Sequence, residues 1–330
     1  MARGGGQDVG ARRRGAAALL ALTTAMVLGL VWLLPRDIGA GRWPGQAWEA
    51  VVCDVGQGES VLVRVGPSSA VVVDTGPEPH LVDGCLRRAG VTSVPLLVLT
   101  HLHVDHVGGL SGVTAAAEVG AVWAASSGMP RQAAAELRAW AATQQVPLRH
   151  PARGTTAQVG DVRLDVLSPA APGGSSSAAV GDSQDVNDAG LVVRLDTGEL
   201  TLLAVGDIGS QVQQRLLGSG VDLRADVTTV AHHGSADQLP AFYAAVGARV
   251  AVASAGRDNS YGHPSPRAAE VVSSTGTLVL ATATHGDVAL RAVGAAGAGG
   301  GATDQGPVAV VSVAVRTTRA GPRRRPPVPA

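Results

Sequence analysis

Lysine is absent from this chain of 330 residues, so all 26 basic side chains are arginine. Cysteine occurs twice, phenylalanine once, and tyrosine, asparagine and isoleucine twice each. Two cysteines exclude a disulfide framework and any Cys-rich metal module. A formal net charge of zero gives no support to a protein that coats nucleic acid. Alanine, glycine, valine and arginine take up the room, a bias of the kind GC-rich coding produces. The scarce residue types are therefore the informative ones. Six of the nine histidines fall in three short motifs, at 101–106, 232–233 and 263. At roughly 150 residues per domain the length allows one large domain or two small ones. A hydrophobic content of 45% suffices for a sizeable core.

The charge is unevenly spread. Residues 1–40 hold five arginines and two carboxylates, and residues 316–330 hold five arginines and no acid. The body between them, 41–315, has 16 arginines against 24 carboxylates, a net of −8. Acidic side chains gathered around a cation explain part of that balance, and a solvated acidic surface explains it equally well.

Residues 16–34 carry no charge. At about 1.5 Å rise per residue this run is long enough for a transmembrane helix. Arg12, Arg13 and Arg14 precede it and Pro35 ends it. The positive-inside rule then keeps residues 1–15 in the cytoplasm and puts everything after the anchor outside the cell membrane. A cleaved signal peptide is the alternative, with an apolar region that is usually shorter.

A Gly/Pro/Trp linker (35–47) leads to one predicted domain over 48–316, followed by an Arg/Pro tail (317–330) expected to be disordered. Short strands are expected at 48–52, 60–65, 70–74, 96–100, 161–167, 191–195, 200–205, 227–230, 249–253, 277–281, 287–292 and 308–315. Helices are expected at 78–89, 130–143, 210–217 and 264–273, and a loose Gly/Ser loop at 172–183. Two runs of strands with interspersed helices predict an α/β sandwich with two central sheets. Each chemically interesting motif falls just after a strand, so the site belongs at one rim.

The strongest motif is His101-Leu102-His103-Val104-Asp105-His106. Imidazole and carboxylate together suit zinc, manganese or iron. At period two His101 and His103 point the same way and can grip one ion, while Asp105 and His106 turn to a second. Gly108-Gly109 lets the backbone approach closely. Asp207, at the end of an apolar strand, could bridge two cations or cap the following helix. His232 and His233 are adjacent, and neighbouring side chains do not easily face one ion. One of them is expected to be a ligand, and the other either to touch substrate or to orient a ligand from behind. His80, His150 and His285 have no motif around them. Cys53 and Cys85 are read as two buried free thiols, with a single disulfide left open for a chain outside the membrane.

The ordered set His101-x-His103-x-Asp105-His106, Gly206-Asp207, His233-Gly234 resembles the signature of the metallo-β-lactamase superfamily. Asp74-Thr75-Gly76 is similar to that family's turn beneath the site. The resemblance spans roughly 48–292. It implies a four-layer αββα sandwich with one or two divalent metal ions (Zn²⁺ or Mn²⁺) at its rim. His101 and His103 would hold one ion, Asp105, His106 and His233 the other, with Asp207 between them. More narrowly, Asp54-Val55-Gly56-Gln57-Gly58-Glu59-Ser60, Ala231–Ser235 and Asn259-x-Tyr261-Gly262-His263-Pro264 resemble the extracellular hydrolase domain of the ComEC-type competence DNA-uptake channel family. Phosphorylcholine esterases of bacterial surfaces share parts of the pattern.

Three departures stand out. No histidine lies in 151–205, where the superfamily usually supplies another ligand, and Asn187-Asp188 is the nearest equivalent. Glu59 stands where the narrower family commonly has aspartate. The acidic body is unfriendly to DNA phosphates. The resemblance nonetheless implies a membrane-anchored metal-dependent hydrolase. It would be a phosphodiesterase or nuclease that uses a metal-bound hydroxide on single-stranded DNA during uptake, perched beside a separate competence channel subunit. Asp105, His232, His263 and Asn187 are its candidate catalytic residues. The alternatives are a hydrolase of phosphorylcholine esters, β-lactams or thioesters, and a catalytically lapsed metal-binding scaffold.

Overall fold

Valine dominates the strands because its branched Cβ packs well on a pleated surface. The structure, a computed structural model, describes residues 43–45, 47–128, 130–169, 183–293 and 310–316. The apolar run 16–34, most of the Gly/Ser loop and the tail lie outside the described residues. Among those described, no helix is long and apolar enough to cross a membrane.

Strands β1 (Ala50–Val52), β2 (Val61–Gly66) and β3 (Ser69–Val73) form an antiparallel meander. From β3 the sheet continues in parallel. The short strands β4 (Ser93–Val94) and β6 (Glu118–Val119) pair beside β3, while β5 (Leu97–Leu99), β7 (Val122–Ala124) and β8 (Leu148–Arg149) extend the main path. A second sheet starts as the antiparallel run β9 (Thr156–Val159), β10 (Val162–Ser168), β11 (Val192–Asp196) and β12 (Thr201–Ala204). It then turns parallel through β13 (Val227–Thr229), β14 (Val250–Ala253) and β15 (Leu278–Ala281). Strands β16 (Asp287–Val293) and β17 (Val310–Arg316) return to the first sheet beside β1.

The helices are α1 (Pro79–Ala89), α2 (Val104–Val107), α3 (Leu110–Ala116), α4 (Arg131–Gln144), α5 (Ser183–Asp188), α6 (Ser210–Leu217), α7 (Pro240–Val246), α8 (Pro266–Ser273) and α9 (Thr282–His285). The expected boundaries hold to within a few residues. Helix α8 starts two residues later than expected because Ser265 caps it, its hydroxyl accepting from the Ala268 amide at 3.1 Å. Helices α3, α5, α7 and α9, and strands β4, β6, β7, β8 and β9, had no strong periodicity to announce them.

The two sheets pack face to face. Val52, Val63, Val73, Val98 and Trp123 from one meet Leu164, Val193, Leu202, Val227 and Val252 from the other in a single buried cluster. The outer face of the second sheet (Val192, Leu203, Ala251) is covered by Val212 and Leu216 of α6, Phe242 and Val246 of α7, and Val272 of α8. Strands covered on both faces read as continuous apolar runs rather than alternating ones, which is why β5 and β12 do. Helix α1 covers the first sheet. It is tied there by Arg88, which donates to Asp287 of β16 at 2.9 Å, and by a Cys53–Cys85 disulfide.

That disulfide corrects the expectation of two free thiols. Residue spacing along the chain says nothing about which face of a helix meets which strand end. Here α1 turns Cys85 onto the residue following β1, with the Cα atoms 6.0 Å apart, well inside the reach of a disulfide.

Candidate metal centre

The parallel strands all point their C-terminal ends to one rim, the place where open α/β sheets gather their sites. Asp74 follows β3, the 101–106 motif follows β5, Asp207 follows β12, the 232–233 pair follows β13, and the loop with Asn259 and His263 follows β14. Only Asn187, at the end of α5, arrives from elsewhere.

Asp105, His106, Asp207 and His233 present one ligand atom each within a radius that a single ion can span. His101, His103 and Asp105 form a second such group, so Asp105 belongs to both. His101 Nε2 stands 3.9 Å from Asp207 Oδ2, which places this carboxylate between the groups as well. His106 is oriented by Asp74, whose Oδ2 accepts from its Nδ1 at 2.7 Å. Asp74 is fixed in turn by the Thr100 amide at 2.7 Å and the Thr100 hydroxyl at 2.6 Å. His233 donates from Nδ1 to the Ser254 carbonyl at 2.9 Å. His101 donates from Nδ1 to the Thr100 hydroxyl oxygen at 3.2 Å. In each ring Nδ1 is spent outward on the protein and Nε2 faces the centre, the arrangement that orients a metal-binding imidazole.

The inward atoms have the chemistry of ligands. His106 Nε2 and Asp207 Oδ1 are buried and 3.1 Å apart, yet neither has a hydrogen-bond partner. Asn187 Oδ1 is likewise buried without one, and its amide lies against His103. Buried polar atoms are rarely left so. The residues therefore fit one or two divalent ions. Asn187 stands where a third ligand for the His101–His103 group would be expected, and it could serve as a weak one.

The electrostatics of the ion-free chain point the same way. Burial pushes the Asp207 carboxyl up, but His233 and His106 more than reverse this and hold it well below the usual range. Burial opposes the ionised Asp105 as well, yet the hydrogen bond to His233 and the charge of His106 bring it down to about 2. Burial disfavours charge on His233 too, but Asp207 and Asp105 raise it to about 10. His106 is raised by Asp207 and Asp74 against its burial. Protons on these two rings thus occupy the place of cations. His101 and His103 behave oppositely, since burial lowers both.

Asp74, His232 and His233 adopt left-handed backbone, with φ of 58°, 51° and 56°. Such conformations cost on the order of 1–3 kcal/mol each and mark functional sites. Two consecutive left-handed residues swing both imidazoles to the same side. His233 Nε2 lies 3.4 Å and His232 Nε2 3.7 Å from Asp207 Oδ2. The expectation that neighbours cannot readily face one ion assumed an extended backbone, and this turn removes the assumption. His233 is buried and His232 is 34% exposed at the rim. His263 is half-buried beside them, its ring 5.9 Å from that of His232. The loop bearing it is braced by Asn259, which donates to the carbonyls of Gly256 and His263 and accepts from the His263 amide at 3.0 Å.

Gly109 passes so close under the turn at Asp74–Pro77 that a methyl group there would overlap the Thr75 carbonyl. His150 binds the Ala124 carbonyl and His285 the Ala281 carbonyl, both away from the centre. Asp74, Thr100 and the Ser254 carbonyl were not singled out as orienting groups by spacing. Asp74 was visible only as part of a familiar turn. Glu59 is fully buried with neither carboxylate oxygen bonded, and burial beside Asp74 pushes it up to about 8.

Residues 53–240 match the family model of the metallo-beta-lactamase superfamily. Competence protein ComA of Neisseria gonorrhoeae is 29% identical over 290 residues, which cover 81% of this chain and 38% of that protein. ComE operon protein 3 of Bacillus subtilis (strain 168) is 26% identical over 207 residues, 62% of this chain and 26% of that protein. The chain thus spans well under half the length of either relative. The metallo-beta-lactamase fold protein YhfI from Bacillus subtilis is 11% identical and superposes with a TM-score of 0.47, covering 70% of this chain and 95% of that one. With a family match over more than half its length, on a two-sheet sandwich whose rim gathers these ligands, the chain belongs to the metallo-beta-lactamase superfamily.

Proposed function

We propose that this chain is a metal-dependent phosphodiesterase acting on single DNA strands during uptake. In this reading it is held to the cell membrane through residues 16–34, faces outward, and works beside a separate channel subunit. The observation that carries it is that the 101–106 motif, Asp207 and His233 form two candidate ligand groups at one rim, where the buried His106 Nε2, Asp207 Oδ1 and Asn187 Oδ1 lack protein partners. His101, His103 and Asp105 would hold one ion, with Asn187 as a weak further ligand. Asp105, His106 and His233 would hold the other, and Asp207 would lie between. Divalent ions supply a nucleophile at neutral pH and neutralise charge on a reacting phosphate. They would also offset part of the −8 of the body, which otherwise repels DNA.

The remaining roles fall to rim residues. Gln57 Nε2 stands 3.4 Å from His263 Nδ1, which leaves the ring proton on Nε2. Burial holds His263 below its usual range, so it is neutral near pH 7. The Nε2–H of His263 would donate a hydrogen bond to a phosphate oxygen, and His232 at the rim would hand a proton to the leaving alkoxide. The similarity to competence protein ComA supports a role in DNA uptake, and the disulfide supports a compartment outside the cytoplasm, where such bonds persist.

The test is hydrolysis by the full chain with Mn²⁺ or Zn²⁺, using single-stranded DNA and bis-nitrophenyl phosphate, beside an Asp105→Ala/His106→Ala control. Metal-dependent DNA cleavage absent from the control is expected. Turnover of the small diester alone would move the substrate to a smaller ester. Metal binding without turnover of either would leave a scaffold.

A further inference from the structure

The chain has two tyrosines and one phenylalanine, and Phe242 and Tyr243 are both sealed in the core. Tyr261 is 72% exposed. An open aromatic ring in so aromatic-poor a chain is unusual, and its place is specific. Its ring stacks on His263 with centroids 5.7 Å apart and planes 26° apart. The His263 ring stacks in turn on that of His233, at 6.4 Å and 29°. Three nearly parallel rings therefore step from solvent to a candidate metal ligand. The loop that carries them is fixed by the three hydrogen bonds of Asn259, so Tyr261 is presented rather than left loose. The other exposed large apolar side chains among the described residues are Val104, Leu278 and Val315. Val104, 69% exposed, sits between His103 and Asp105 on the same rim. Polar ligands at the centre are thus accompanied by apolar surface at the edge.

We infer that Tyr261 is a stacking platform for a nucleobase adjoining the phosphate at the metal centre, which makes it a specificity-determining residue for unpaired strands. The inference rests on the phosphodiesterase reading and narrows its substrate. A flat, sequence-tolerant partner suits a single open ring face, because every base has a π-face and only unpaired bases expose it. A quaternary ammonium such as choline is instead held by a cage of several aromatic faces. Among the described residues Tyr261 is the one exposed tyrosine, phenylalanine or tryptophan; Phe242, Tyr243, Trp48 and Trp123 are buried, and Trp43 and Trp140 are partly buried.

The experiment compares ligands that differ only in the base. Thymidine 5′-monophosphate and deoxyribose 5-phosphate are titrated into the Mn²⁺-loaded full chain, with phosphocholine as a third ligand. The wild type is expected to bind the nucleotide about tenfold more tightly than the sugar phosphate. Tyr261→Ala should erase that difference and Tyr261→Phe should keep it. In parallel, Tyr261→Ala should raise KM for an oligothymidylate with kcat little changed, and leave KM for an abasic oligomer as it was. Equal affinities in the wild type, or a base preference that survives Tyr261→Ala, would overturn the inference. Tyr261-dependent preference for phosphocholine over the nucleotide would overturn it too. The nuclease reading fails separately, through absence of strand cleavage, even where the base preference is found.

Discussion

The two ligand groups of the centre share Asp105 but are built differently. The inner group of Asp105, His106, Asp207 and His233 is braced from behind. Asp74 holds His106, the Ser254 carbonyl holds His233, and the rings carry protons until an ion replaces them. The outer group of His101, His103 and Asp105 has one braced ring and one half-buried ring, with an asparagine amide in place of a further imidazole. Outer-shell hydrogen bonds set how rigidly and how basically a ligand is presented. The inner group should therefore bind more tightly and respond to pH, while the outer group should bind weakly and respond little.

Removing the charge between the groups should have the largest effect. Asp207→Asn is expected to lower hydrolysis at least about a hundredfold, since it withdraws negative charge from both ions. Elemental analysis of the purified variant should show metal lost from both positions. Loss from one alone would mean the carboxylate belongs to a single ion. Asp74→Asn should act on the inner group only. It is expected to weaken inner affinity about 10- to 100-fold, read by chelator competition, with the outer affinity unchanged.

The pH response separates the groups next. The proton on His233 leaves at about 10 in the ion-free chain, against an ordinary 6.5. An ion must displace it and the proton on His106, which is also raised, so inner affinity should fall at least about tenfold for each unit of acidification between pH 9 and 7. His101 and His103 are already neutral across that range, so outer affinity should stay flat. The same shift gives a sign for stability. The contribution of His233 to the ion-free fold is fully present below pH 6.5 and is lost as pH rises through about 10. Urea titrations at pH 6.5 and 9.5 after chelation should show it, and Glu59, raised to about 8, should add to the decline over the lower part of that window.

The smallest effect is expected at Asn187. Asn187→His should raise outer affinity by less than about tenfold, by offering an imidazole where an amide oxygen stands. An unchanged stoichiometry would show that the outer position is limited by the half-buried His103 rather than by the lack of a further imidazole.

How much of this could be read in the residues depends on range. Most of the strands and α6 were legible because valine and leucine runs between glycine and proline turns signal locally. Helix α7 was not, since its apolar residues only acquire a face by packing on β12 and β14. The motif at 101–106 was legible because its ligands come from six consecutive residues. The partnership of Asp74 with His106 spans 32 residues and that of His233 with Asp105 spans 128, and no local pattern encodes either.

The sequence by itself determined the strand-to-loop order and the types of ligand available, because both follow from side-chain chemistry at short spacing. Tertiary structure decided which ring nitrogen faces inward, that Cys53 meets Cys85, and that Tyr261, His263 and His233 stack in steps toward the centre. It also turned His232 and His233 to the same side through left-handed backbone. The physical reason is common to all of these. Such local arrangements carry an energetic cost or no preference in isolation, and only the packing of the two sheets and their loops selects them.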